Sequence, residues 1–256
     1  MIGGRGERRA RNHLGTMEGI NALKVFKGPF EAKEFSTIVN MEGKKIVIRD
    51  FTTGKEPEPL PEGAIDIGRY NEMRPNMYVS DMYQDTEKQI EGYAGVRNIH
   101  MGLDIGGPAG TPVMSFADGK IQKFGYNPGK GDYGHVVIVQ YKISDTNVWA
   151  LYGHLSAKSV GYKYIGMPVK KGDVIGWYGV PGENGGWPPH VHFQLSFVEP
   201  QTHDLPGVVS LRDHKRSEIH FPDPRLVLGK LYPGEGLIVP KGLEIPERYR
   251  KESKKS

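Results

Sequence analysis

Gly134-His-Val-Val-Ile-Val-Gln-Tyr141 and Thr146-Asn-Val-Trp-Ala-Leu-Tyr152 decide the fold class of this chain. Both stretches are rich in β-branched and aromatic residues, which are typical of strands. Because a short connection separates them, we predict a central strand followed by its antiparallel hairpin partner. This arrangement would place His154 just beyond the end of a strand.

Shorter strands are predicted outside this pair, at 44–50, 110–117, 120–124, 174–178 and 190–197, and a turn at 167–173 precedes the fourth of them. Asp118-Gly119, between alternating apolar residues, predicts a hairpin that joins 110–117 to 120–124. Gly110-Thr-Pro-Val and Gly166-Met-Pro-Val are each followed by a turn and an isoleucine, which indicates a repeated hairpin motif. No convincing amphipathic helix lies between the strands. We therefore predict a mainly β fold, an antiparallel β-sandwich with a repeated hairpin motif.

Length and patterning bound the organisation. The 256 residues allow one domain with extensions. The stretch 54–63 has the prolines and charges of a linker, so we expect an N-terminal extension over 1–63, a domain over 64–230 with its core at 95–200, and a basic tail over 231–256. No apolar run approaches the roughly 18 residues of a membrane span. The charged N-terminus precedes no apolar stretch, so the chain as given indicates a cytoplasmic protein.

The basic character belongs to the ends of the chain. Residues 1–12 and 241–256 each carry a net charge of +3, which leaves −2 over residues 13–240. We interpret these ends as solvated termini and expect no nucleic-acid partner. The chain has no cysteine, which excludes disulfides and thiolate metal ligands.

Three short motifs carry the candidate chemistry: His100-Met-Gly-Leu-Asp104, Tyr152-Gly-His154-Leu and His190-Val-His192-Phe. Three protein ligands with an open fourth position are typical of a catalytic zinc site. His190 and His192 would leave the same face of a strand, roughly 6–7 Å apart. At that spacing they either converge on one metal ion or divide, one as a ligand and the other beside it. The glycines around His100 and Asp104 favour a bent, extended segment over a helix.

These motifs, in this order, resemble peptidase family M23, the lysostaphin-type or LytM zinc endopeptidases. The family pattern runs His-x-Gly-x-Asp, Gly-Thr-Pro-Val, Tyr-x-His-Leu, a glycine-rich Gly-Asp-x-Ile-Gly segment and Pro-His-x-His-Phe. The matching pieces here are 100–104, 110–113, 152–155, 166–176 and 189–193. The flanking stretches 68–78, 183–190 and 222–229 resemble a subgroup of the family that also occurs fused to class-III aminotransferase-like chains.

The resemblance implies one zinc ion per chain, held by His100, Asp104 and His192. It implies His154 and His190 as the catalytic pair that polarises the water and stabilises the oxyanion. It further implies the lysostaphin-type fold, the duplicated hybrid motif, with an open groove walled by loops. The chain departs from the pattern at Tyr141, where many members have a histidine.

The implied activity is that of a zinc metalloendopeptidase that cleaves peptide bonds between small residues, as in peptidoglycan cross-links. The family also favours an extracytoplasmic location if a leader has been removed. Two alternatives stay open. One is a non-catalytic LytM-type binding or regulatory module; the other is a cytoplasmic hydrolase domain that acts on a small amino compound. The sequence does not predict the oligomeric state.

Other residues receive a narrower interpretation. We expect ordinary structural or exposed roles for five further histidines, His13, His135, His203, His214 and His220. The loop 179–189 leads into the His190 strand and is predicted to wall the groove, with Trp187 near its rim and the region 152–164 opposite. Four aromatic residues are candidates for the groove wall: Tyr126, Tyr152, Trp177 and Trp187.

Overall fold

The computed structural model describes residues 34–84, 92–93 and 95–247. The strands in this part are β1 (Ile46–Ile48), β2 (Ile65–Gly68), β3 (Glu72–Met73), β4 (Ile99–His100), β5 (Leu103–Gly106), β6 (Pro112–Met114), β7 (Gly119–Asn127), β8 (Gly134–Ile143), β9 (Thr146–Leu155), β10 (Pro168–Val169), β11 (Val174–Trp177), β12 (His190–Ser196) and β13 (Val208–Val209). Its short α-helices are α1 (Asp81–Gln84), α2 (His214–His220) and α3 (Arg225–Leu228), and its 3₁₀ turns are Phe51–Thr53 and Ala157–Ser159. The mainly β fold class is confirmed.

An eight-stranded sheet in the order β1-β2-β5-β12-β9-β8-β7-β10 forms the centre. Its strands pair antiparallel, except that β1 lies parallel to β2. The hairpin predicted between the two apolar stretches is confirmed as β8 and β9, which pair from His135 opposite Leu155 to Ile143 opposite Thr146. The central sheet is therefore built around the most β-prone part of the sequence.

Two smaller sheets cover the central one. Val137 and Val139 of β8 share an apolar cluster with Val113 of β6 and Ile175 of β11. Val136 and Ile138, on the opposite face of the same strand, cluster with Ile99 and Met101 beside the sheet β13-β4-β3. Since successive side chains of a strand point to opposite faces, both must be apolar when both faces are buried. This explains why the run in β8 does not alternate.

The hairpin predicted at Asp118-Gly119 is wrong. β6 pairs with β11 across Pro112 and Trp177, whereas β7 pairs with β8 and β10. The backbone between β6 and β7 is engaged elsewhere, because Ser115 N–H donates to Asp173 O at 2.8 Å. The two halves of the predicted repeat thus exchange strands: β6 of the first pairs with β11 of the second, and β10 of the second pairs with β7 of the first.

Segments on both sides of the predicted central domain contact it. β1 pairs with β2, and Tyr70 N–H donates to the Tyr232 hydroxyl at 2.8 Å. The domain boundaries at residues 63 and 230 stay predictions. Within the described ranges, the helices are all too short or too polar to cross a bilayer.

The β8–β9 turn offers a test of the hairpin. Ser144 and Asp145 both have positive φ, at 44° and 66°, a conformation that Asn-Gly adopts with less strain. The double variant S144N/D145G should raise the free energy of unfolding by about 1 kcal/mol, measured by denaturant titration. K142A, which removes only the exposed contact of Lys142 with Asp145, is the control and should change little. A double variant less stable than the parent would contradict the turn assignment.

Candidate metal centre

The segment that carries the first two candidate ligands is bent, as predicted. His100 ends β4 in one sheet and Asp104 lies in β5 of the central sheet, and Met101 and Gly102 connect the two strands. A Cβ atom at Gly102 would lie 2.3 Å from Cε1 of His192. Glycine at this position therefore allows the bend to approach the His192 ring.

Strand register supplies the third residue. β12 pairs with β5 so that His192 lies directly opposite Asp104. His100 Nε2 is 3.1 Å from Asp104 Oδ1 and 2.9 Å from His192 Nδ1, and His192 Nδ1 is 3.2 Å from Asp104 Oδ1. Bonds of about 2.0–2.1 Å to a tetrahedral zinc ion require ligand atoms about 3.3 Å apart. Three buried or nearly buried donor atoms thus fit a zinc ion.

The remaining polar atoms of these three side chains have protein partners. His100 Nδ1 donates to Arg69 O at 2.9 Å, and His192 Nε2 donates to Gln194 Oε1 at 3.0 Å. These bonds assign the tautomers and direct the lone pairs of His100 Nε2 and His192 Nδ1 at a common point. The other oxygen of Asp104 accepts from Arg74 at 2.8 Å.

The electrostatics suit a cation bound by neutral imidazoles. Burial, with the adjacent Arg74 guanidinium, lowers the pKa of His100 to about 4. Burial by itself would raise the pKa of Asp104, but His100, in its protonated form at low pH, and the Arg74 guanidinium outweigh it and hold that pKa well below its usual value. Near neutral pH the centre therefore presents an uncharged imidazole at His100 and a carboxylate at Asp104.

His154 and His190 lie beside this centre, with ring centroids 4.3 Å apart. His154 Nδ1 donates to Asn184 O at 2.8 Å and His190 Nδ1 donates to Pro188 O at 2.7 Å. His190 Nε2 lies 3.8 Å from Asp104 Oδ1. Burial lowers the pKa of both imidazoles, and for His154 the neighbouring His190 lowers it further.

The backbone at His154 differs from the prediction. His154 lies within β9, which runs to Leu155, and not beyond the strand end. Its φ is 59°, and the register of β8 against β9 shifts between His135 and Val137. An extra residue in one strand redirects side chains, and such irregularities recur next to active sites. The shift places the His154 ring 6.2 Å from the His192 ring.

A cavity of about 290 Å³ opens over the centre. Trp187, Pro188 and Pro189 line it, so the loop 179–189 forms part of the wall as predicted. Within 152–164 His154 alone lines it; another wall comes from residues 77–83, including Tyr78, whose ring lies 6.1 Å from Trp187. The predicted site for a substrate is thus more enclosed on this side than the sequence indicated.

The prediction that aromatic side chains form the groove wall is wrong for three of the four candidates. Tyr152 is fully buried in the core, where its hydroxyl contacts that of Tyr141 at 2.7 Å. Tyr126 stacks on His135, and Trp177 contacts Tyr162. All three are absent from the cavity lining, which among the four candidates includes only Trp187.

The other described histidines lie outside the ligand cluster. His135 bonds Glu183 O, His214 bonds Asn71, and His220 bonds Tyr93. His203 packs close to Gly125. These contacts fit the structural roles expected for them, whereas His13 lies outside the described residues.

Arg74 and Gln194 contact the candidate ligands but were not singled out from the sequence. Gln194 follows His192 by two residues on one strand, so the period of two could have placed it on the same face. Arg74 precedes Asp104 by 30 residues, and no spacing rule connects them.

Comparison with known proteins agrees with the geometry of the site. Residues 98–203 match the sequence model of peptidase family M23, and this range includes every candidate ligand and both adjacent histidines. The similarity to this family is therefore shown for the segment 98–203. The matched segment spans β4 to β12, and the resemblance seen in the motifs is confirmed.

Two curated relatives illustrate the similarity. The DD-carboxypeptidase/endopeptidase Mpg of Neisseria meningitidis serogroup B is 38% identical over 96 residues, which cover 38% of this chain and 20% of Mpg. The L-Ala–D-Glu endopeptidase of Bacillus subtilis is 33% identical over 139 residues, 52% of this chain and 40% of the relative. The chain thus spans between a fifth and two-fifths of the length of these relatives.

A solved structure also matches. The catalytic domain of the antimicrobial peptidase lysostaphin from Staphylococcus simulans is 26% identical to this chain, and the match covers 57% of this chain and 87% of that domain. Its TM-score of 0.35 is too low to add to the description of the fold.

The close approach at Gly102 yields a prediction for the centre. In G102A the new Cβ displaces the His192 ring, so zinc uptake should fall by at least about tenfold, the scale on which displaced ligands lose metal. G107A is a matched control, because a Cβ there meets nothing nearer than 3.8 Å. Zinc titration with circular dichroism as a folding check measures both variants. Unchanged uptake by a folded G102A would contradict the proximity of Gly102 to a ligand.

Proposed function

We propose that the chain is a zinc-dependent peptidase in which His100, Asp104 and His192 hold the metal ion. The convergence of His100 Nε2, Asp104 Oδ1 and His192 Nδ1 within 3.2 Å of one another carries the proposal. When bound by these three side chains, a zinc ion would supply a position for water, lower the pKa of that water towards 7 and polarise a peptide carbonyl.

His154 and His190 handle the protons in this proposal. Because each Nδ1 donates to a backbone carbonyl, each neutral ring keeps an unprotonated Nε2. Such a nitrogen accepts a proton from the attacking water. The resulting imidazolium then stabilises the oxyanion or returns the proton to the leaving amine. Two rings 4.3 Å apart allow these tasks to be divided.

Short peptides are the proposed substrates. The relatives named above are a DD-carboxypeptidase/endopeptidase and an L-Ala–D-Glu endopeptidase, which favours peptide bonds between small residues, as in peptidoglycan. The wall formed by Tyr78 and Trp187 limits the space beside His154, since the Trp187 ring lies 6.2 Å from the His154 ring. This enclosure favours short or terminal peptides over long chains.

The same enclosure is the observation that keeps the small-amino-compound hydrolase as a second candidate. The non-catalytic module is disfavoured, because such modules lose key residues and this chain retains all five.

The discriminating experiment incubates the purified protein with intact peptidoglycan, with soluble peptide fragments of it and with single amino acid amides, followed by mass spectrometry of the products. Cleaved cross-link peptides support the proposal, and release of ammonia from amides alone supports the second candidate. Inactivity on all three substrates would contradict both.

Metal content is the first prediction from this proposal. The protein should bind one zinc ion per chain, and zinc should raise its melting temperature, because the ligand atoms converge only in the folded state. Elemental analysis and differential scanning calorimetry measure the two effects, and H192A is the control that should lose both. A protein that takes up no zinc on titration contradicts the proposed function.

The second prediction separates the proton-handling histidines from the ligands. H154A and H190A should each keep near-normal zinc content while peptide cleavage falls by at least about a hundredfold. H192A should lower zinc content and cleavage together. Loss of zinc in H190A with retention in H192A would reverse the assignment within the His-x-His pair.

A further inference from the structure

Asp104 is held from behind by a buried arginine. Arg74 Nη1 donates to Asp104 Oδ2 at 2.8 Å, and only 2% of the Arg74 side chain is exposed. The opposite oxygen, Oδ1, is the one that faces His100 and His192. The two oxygens of this carboxylate therefore have separate partners.

The other nitrogen atoms of the Arg74 guanidinium also have fixed partners. Its Nε donates to Glu72 Oε2 at 3.0 Å, and Glu72 is fully buried. Its Nη2 donates to Arg69 O at 3.2 Å, the same carbonyl that accepts from His100 Nδ1. One backbone oxygen thus orients both a candidate ligand and the arginine that contacts another. A guanidinium held in a fork of this kind is strongly preorganised.

The fold leaves room for this pair at one glycine. Gly68 of β2 lies opposite Asp104 in the register of β2 with β5. A Cβ at Gly68 would lie 2.8 Å from both Arg74 Nη2 and Asp104 Oδ2. A larger residue would force the arginine or the carboxylate to shift.

We infer that Arg74 is a positioning residue that makes Asp104 a single-oxygen ligand. By occupying Oδ2, it prevents the carboxylate from turning both oxygens towards the metal and leaves the fourth position of a tetrahedral ion for water. Its charge, together with that of Arg69, also offsets the charges of Asp104 and the buried Glu72. This inference rests on the proposed metal site, and it adds a residue that lies outside the M23 match at 98–203.

The chain provides a matched control on the neighbouring strand. Arg49 Nε contacts Asp66 Oδ2 at 2.7 Å, with 9% of the Arg49 side chain exposed. Asp66 lies opposite Gly106 in β5, two residues beyond Asp104. R49M therefore removes a similar arginine–aspartate pair from the same sheet without touching a candidate ligand.

The test compares wild type, R74M, R74K and R49M as full chains by two readouts that do not depend on peptide cleavage. Competition against a chromophoric chelator gives the zinc dissociation constant. We expect it to rise about 10–100-fold in R74M, the usual scale for losing a partner of a metal ligand. R74K should lose less than R74M, because its ammonium can keep the contact with one of the two carboxylates, whereas methionine keeps neither. R49M should match wild type.

The visible spectrum of the Co²⁺-loaded protein is the second readout. Wild type and R49M should show the intense bands of four-coordinate cobalt, whereas R74M should show the weaker bands of a higher coordination number. Wild-type affinity and an unchanged spectrum in R74M would overturn the inference, as would equal losses in R49M. If R74M does not fold, R74K decides by the same criteria. A wild-type protein that binds no zinc would instead refute the proposed function.

Discussion

The pairing of β12 with β5 is the constraint on which the candidate site depends. It sets His192 across from Asp104, and the same register puts His190 two residues along on the same face. Sheet register is an all-or-nothing quantity, because a slip of one residue would turn both histidines to the opposite face. The apolar residues Val191 and Phe193, which alternate with them, are fully buried on that opposite face. The core therefore fixes the chemistry of the site through the period of the strand.

Two backbone irregularities, together with the strand register, bring the side chains of the site together. The bend at Gly102 carries His100 out of the central sheet and back onto the His192 ring, and the positive φ of His154 redirects its side chain from an otherwise regular strand. Both departures cost conformational freedom or strain, and surrounding contacts maintain them. His154 N–H donates to Tyr133 O, and its own carbonyl accepts from Gly179. The rigid sheet provides the scaffold, and these exceptions provide the convergence of the side chains.

Much of this could be predicted from sequence, for identifiable reasons. The β8–β9 hairpin is encoded in a local run of β-branched residues, and the shared face of His190 and His192 follows from strand periodicity. The prediction of a hairpin at Asp118-Gly119 was wrong because a turn signal is local, whereas the partner of β6 is selected by packing against β11. The prediction of aromatic residues in the groove wall was wrong for a similar reason, since Tyr152 points into a core that no local pattern reveals. Arg74 and the irregular backbone of His154 arise only when distant segments meet, so neither had a signal in the spacing of residues.

The exchange of strands between the two repeated motifs has a consequence for the integrity of the domain. Each motif offers an edge that only the other can complete: β6 needs β11, and β10 needs β7. The halves are therefore interlocked rather than stacked. A fragment that ends between β9 and β10 would leave four strands, β5, β6, β7 and β9, without a partner on one edge, and would retain His100 and Asp104 without His192. Cooperativity between the halves thus protects the domain from partial unfolding that would leave its ligands scattered and its strand edges free to pair with other chains.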